Sequence, residues 1–217
     1  MKSDTQLQQD ILAELDWEPS VDAAQIGVEV NDGVVTLAGH VSSFAEKWDA
    51  ERAAQRVNGV KALAVEIDVK LPGDSKRNDS DIARTAENAL DWMTYIPSES
   101  VKVMVEGGYI TLSGEVDWEY QREAVTGRVR HLMGVTGVSD HIVVKPKVSL
   151  RAVKSDIEAA LRRRAHADAQ KIAVGVNGSE VTLTGTVQSW AERDLAKHAA
   201  WGTPGVNKVV DNIAISF

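Results

Sequence analysis

The five histidines, His40, His131, His141, His166 and His198, are the first candidates for metal binding or proton transfer. None stands in an H-E-x-x-H or other close ligand pair, so the expected metal set is empty. The chain has no cysteine, which excludes disulfides, thiolate chemistry and Cys-based zinc sites while leaving the compartment open. It also lacks a G-x-S-x-G nucleophile elbow, a Walker loop, and a G-x-G-x-x-G after a strand. What remains is contact chemistry. Arg162, Arg163 and Arg164 form a run that suits an anionic headgroup, and Trp17, Trp92, Trp118, Tyr120, Phe44 and Trp190 pair an apolar body, in most cases with a polar tip.

The elements that position these residues are written three times. Gly39, Gly114 and Gly185 each stand in the phrase T-L-x-G-x-V. A leucine precedes each glycine by the same interval (Leu15, Leu90, Leu161), and a Gly-Val pair follows each (Gly59, Gly134 and Gly205 with their valines). Copies this long read as domains rather than as solenoid repeats. We expect domains at 1–71, 76–147 and 149–217. Carboxylates are abundant, yet none pairs with a second one at equivalent positions in all copies, so no general acid or base is assigned. His40 becomes Glu115 and Thr186 in the other copies and is read as a surface residue.

Each copy changes its apolar period in a fixed order. Residues four apart (Leu7, Ile11, Leu15; Ile82, Ala86, Leu90; Val153, Ile157, Leu161) predict one face of a helix. Ser3 with Gln6, and Ser155 with Glu158, fit capping boxes ahead of two of these helices. Alternation follows at Ile26, Val28, Val30, at Val101, Val103, Val105, and at Ile172, Val174, Val176, predicting a half-buried strand. Turns at Asn31–Gly33, Glu106–Gly108 and Asn177–Ser179 close hairpins onto antiparallel second strands. Alanine-rich helical spacing returns at 45–57, 120–132 and 191–200, and a last strand ends each copy. The fold class is therefore α+β: three tandem αββαβ modules, each with two helices on one face of a three-stranded mixed sheet. The second and last strands should be parallel, joined by a right-handed crossover.

By this topology the end of the first helix, the start of the first strand, the end of the second strand and the start of the second helix share one pole. Both aromatic positions of each copy should lie there, either plugging the open end of a small core or meeting a headgroup surface, with Arg162–Arg164 at the pole of the third, where they meet anionic headgroups or complement the helix dipole. A module of about 65 residues buries only about 60% of its extended-chain surface, so neighbouring copies gain from docking. The linker from Pro72 to Ser80 is polar and reads as flexible, whereas that around Pro146 leaves little slack. Gly134–Gly137 and Gly202–Gly205 have the G-x-x-G form of a nucleic-acid clamp without adjoining basic residues, and are read as helix stops.

The net charge of -8 disfavours nucleic acid. It is graded, about -7, -3 and +2 over residues 1–71, 72–147 and 148–217. No stretch is long and apolar enough to be a transmembrane segment, and the polar start carries no signal sequence. Location is expected to be cytoplasmic, or periplasmic if a leader has been removed.

The S-D-I, V-x-V, T-L-x-G-x-V and N-G-V motifs, with the T-L-x-G-x-V core and its flanking spacings met three times, resemble the BON domain, a family of OsmY-like osmotically inducible and nodulation proteins. The resemblance implies a non-enzymatic module without cofactors. It implies a partner in an anionic phospholipid surface or an envelope-associated protein, in osmotic or envelope stress. Some relatives of this type bind potassium beside a LysM domain, which this chain does not show. Cytoplasmic ion sensing and holdase-like chaperoning are the alternatives. Open strand edges also permit a homo-oligomer.

Overall fold

The computed structural model describes residues 2–145, 157, 159, 172–203 and 205–216. The first module runs α1 (Asp4–Trp17), β1 (Ile26–Asn31), β2 (Val34–Val41), α2 (Phe44–Arg56) and β3 (Ala62–Val69). The second repeats it as α3 (Asp79–Asp91), β4 (Val101–Glu106), β5 (Tyr109–Val116), α4 (Glu119–Arg130) and β6 (Gly137–Val144). In the third, Ile157 and Ala159 are helical, followed by β7 (Ile172–Asn177), β8 (Glu180–Val187), α5 (Trp190–Trp201) and β9 (Lys208–Ile215). The chain is thus an α+β protein of three repeats.

Each sheet has its hairpin antiparallel and its crossover parallel, with the second strand central. The register is the same in all three: Ile26, Val101 and Ile172 lie opposite Gly39, Gly114 and Gly185. Apolar residues alternate inward along the strands and meet the four-apart faces of the helices. Leu7, Ile11 and Leu15 close over Val35 and Leu37 in the first core, and Ile82 and Ala86 over Ile110 and Leu112 in the second. Ile157 takes the corresponding place in the third core.

Local chemistry sets the ends. The Ser3 hydroxyl accepts from the Gln6 amide, as the sequence predicts, while Asn78 performs the same office for α3. The capping box at Ser155 lies outside the described residues. One residue further on, Asp4 accepts from the amides of Asp32 and Gly33, and Asp79 from those of Gly107 and Gly108. An acid in the first helical turn therefore grips the hairpin turn. The motif glycines stand inside the second strand rather than at its end. Gly39 (φ 139°) and Gly114 (φ 137°) have no room for a side chain, because a Cβ would collide with the carbonyl oxygens of Gln25 and Ser100. The first linker holds a 3-10 turn at Gly73–Ser75, with the Arg77 guanidinium donating to the carbonyls of Asp74 and Lys76.

Candidate interaction surface

The residue that ties the pole of each module together is an acid or amide in the first turn of the second helix. Glu46 is buried and accepts from the amides of Asp22 and Ser42 and from the Ser42 hydroxyl. In the second module Gln121 accepts from the amides of Asp117 and Trp118 and donates to the Tyr95 carbonyl at 2.6 Å. These bonds fasten the loop after the first helix to the start of the second. Sequence reasoning missed both residues; their signal was a Glu or Gln three positions after the helix N-cap.

Around that fixed point the aromatic residues take three different places. Trp17 and Trp92, at the ends of α1 and α3, are 82% and 84% exposed, and so stand almost wholly in solvent. Tyr95 and Tyr120 are exposed beside each other, ring centroids 6.1 Å apart, so the second module presents this pair in addition to Trp92. Trp118 is half-buried. Phe44 and Trp190 turn away from solvent into neighbouring modules: Phe44 packs on the core of the second, and Trp190 on that of the first. The Trp190 indole N–H donates to the Val60 carbonyl at 2.9 Å. Arg162, Arg163 and Arg164 lie outside the described residues.

Phe44, Glu119 and Trp190 occupy the same position in their modules, five residues after the motif glycine, and the contacts around them repeat in a cycle. Trp48 of the first module lies under Arg130 of the second, 3.6 Å from the guanidinium carbon to the ring centroid. Glu123 of the second meets His198 of the third at 3.0 Å, and Asp194 of the third meets Arg52 of the first at 3.1 Å. Trp48, Glu123 and Asp194 are again equivalent positions. The second helices thus dock head to tail, first on second, second on third, third on first.

A cavity of about 590 Å3 remains between them, lined by Trp48, Arg52, Glu119, Arg130, His198 and Trp201 among others. Glu119, only 6% exposed, bonds Arg122 through one carboxylate oxygen at 2.7 Å and leaves the other without a partner. Burial raises its pKa above the ordinary carboxylate value, against the pull of Arg122. Burial likewise lowers the pKa of Arg130, whose Nε has no hydrogen-bond partner. Among the described residues no group of three or more His, Cys, Asp or Glu side chains could hold a metal ion. No helix among them is long and apolar enough to cross a membrane.

Three small αββαβ units in tandem, docked through their second helices, define a repeat protein of one domain type. The BON domain model matches residues 3–70, 78–146 and 149–216, and the chain belongs to that family. It is similar to osmotically-inducible protein Y of Escherichia coli (strain K12), 29% identical over 130 residues, a match spanning 58% of this chain and 65% of the relative's length. Among solved structures it shows slight likeness to the C-terminal domain of CdsD, a structural protein of the type III secretion system of Chlamydia trachomatis. That match has 14% identity, full coverage of both chains and a TM-score of 0.27. It shows similar likeness to the periplasmic domain of PrgH from S. typhimurium, with 15% identity over 94% of this chain and 98% of that one and a TM-score of 0.23. Scores this low carry over no arrangement.

Proposed function

We propose that this chain is a non-enzymatic BON-repeat protein of the osmotic-stress type. It binds anionic phospholipid surfaces through weak contacts made by several modules at once, with envelope-associated proteins as the competing class of partner. The observation that carries this reading is the exposure of Trp17 and Trp92 at equivalent helix ends. An indole left in water by a folded chain wastes its apolar area, and the headgroup region of a bilayer accepts its ring and N–H together. Tyr95 and Tyr120 extend the surface of the second module. Arg162–Arg164 contribute the attraction, about 1 kcal/mol per charge near an anionic surface. Several weak sites on one chain gain by effective concentration. The name of the E. coli relative is the support for osmotic stress.

Co-sedimentation of the full chain with phosphatidylglycerol vesicles and with phosphatidylcholine vesicles tests this. The expected result is binding to the former, reduced several-fold by Trp17→Ala with Trp92→Ala and also by replacing the three arginines. Binding indifferent to both sets overturns the membrane reading. Retention on envelope proteins without vesicle binding assigns the surface to a protein partner.

A further inference from the structure

The first and second modules share register and length but differ in how the first helix meets the edge strand. In the first, the Gln8 side chain of α1 donates to the Val28 carbonyl of β1 at 2.7 Å, and Ile26 and Val28 are buried. In the second, Ala83 occupies the place of Gln8 and Glu87 that of Leu12. Val101 and Val103 are then only half-buried, and a groove of about 620 Å3 lies between α3 and β4. Its floor is Leu90, Ile96, Val101 and Val103.

β4 is an edge strand, paired with β5 alone. The shared register makes Val103 turn its main-chain polar groups outward as Val28 does, and alternate residues do the same. No side chain among the described residues bonds the Val103 carbonyl. Close by, the Ser100 hydroxyl is buried without a partner. Glu87, Asp91 and Glu99 line the groove against a single cation, Lys102, and none of the three carboxylates forms an ion pair among the described residues.

We propose that this groove binds an extended peptide segment that adds a strand to β4. Its alternate apolar side chains would enter the floor, and its basic flanking residues would meet the three carboxylates. Open main-chain groups supply affinity and alternate pockets supply selectivity, as in other strand additions. The acidic rim selects a cationic segment and opposes a second copy of this acidic chain. The inference does not rest on membrane binding, which uses other residues.

The probe is a fluorescein-labelled peptide, Lys-Lys-Val-Thr-Val-Thr-Val-Lys-Lys, titrated with the full chain and read by anisotropy, with amide hydrogen exchange in parallel. Binding with protection of the Val101, Val103 and Val105 amides is the expected result. Ala83→Gln, which installs the plug of the first module, should weaken binding at least tenfold while thermal stability is kept. Glu87→Gln with Asp91→Gln should weaken it several-fold and flatten its salt dependence. Gln8→Ala should open a second, weaker site on β1. No binding at millimolar peptide, affinity unchanged by Ala83→Gln, or protection away from β4 would each overturn the proposal. So would self-association of the chain that Ala83→Gln abolishes, since the groove's occupant would then be a second copy.

Discussion

Trp190 donates its indole N–H to the main-chain carbonyl of Val60 at 2.9 Å, across 130 residues of sequence. The bond joins the third module to the first, which no linker connects. Trp190→Phe keeps the ring and loses the donor, leaving a half-buried carbonyl unpaired, and should cost about 1 kcal/mol. Trp190→Ala loses the packing as well and should cost about 2–3 kcal/mol. Urea unfolding gives both values. Small-angle scattering should show a larger radius of gyration for the alanine variant, and an unchanged radius would contradict the docking role.

The motif glycines make a sharper prediction. Gly39→Ala and Gly114→Ala force a methyl group against a main-chain oxygen at positive φ, and each should cost about 2 kcal/mol or more. Gly73→Ala meets nothing within 4 Å and is the control, expected within about 0.5 kcal/mol of the parent. Melting temperatures that fail to separate the two classes would refute the steric account.

Glu119 sets a pH dependence. Burial raises its pKa in the folded chain, so the folded state holds this proton more tightly than the unfolded state. Its favourable contribution is complete below the ordinary carboxylate value and is lost as pH rises through the raised one. Glu119→Gln, which carries no charge at any pH, should therefore gain stability relative to the parent as pH rises from about 4 to about 8. A difference between the two proteins that stays constant over that range would show the carboxylate to be unaffected by its setting.

The ion pairs between modules are partly exposed, so their worth should be small and sensitive to salt. A double-mutant cycle on Arg52 and Asp194 should give a coupling of about 0.5 kcal/mol at low salt, falling toward zero at about 1 M salt. Coupling that persists at high salt would mean the pair is far better shielded from water than its side-chain exposures of 43% and 34% imply.

Much of the fold was legible because its signals are local. The Leu7, Ile11, Leu15 spacing, the Asn31–Gly33 turn and the Ser3 cap each act within a few residues, and α1, the first hairpin and the helix start appear where they predict. Topology placed Trp17 and Trp92 at the helix ends but left open whether they plug the core or stand in solvent, as they do. The destinations of Phe44 and Trp190 were not, because the pole argument treats each copy alone, and which neighbour covers a residue depends on how modules pack. A trace was present all the same: Phe44, Glu119 and Trp190 share a position yet differ in kind, the mark of contacts that differ from seam to seam. The alanine at 83 in place of Gln8 was equally visible, but only a helix laid against an edge strand gives it meaning.

The cyclic docking of the three second helices also governs copy number. A set of head-to-tail contacts that closes on itself after three steps leaves no free face for a fourth unit. Deleting one repeat would strand two complementary faces on a single chain, so a two-repeat derivative would be prone to seek them on other molecules.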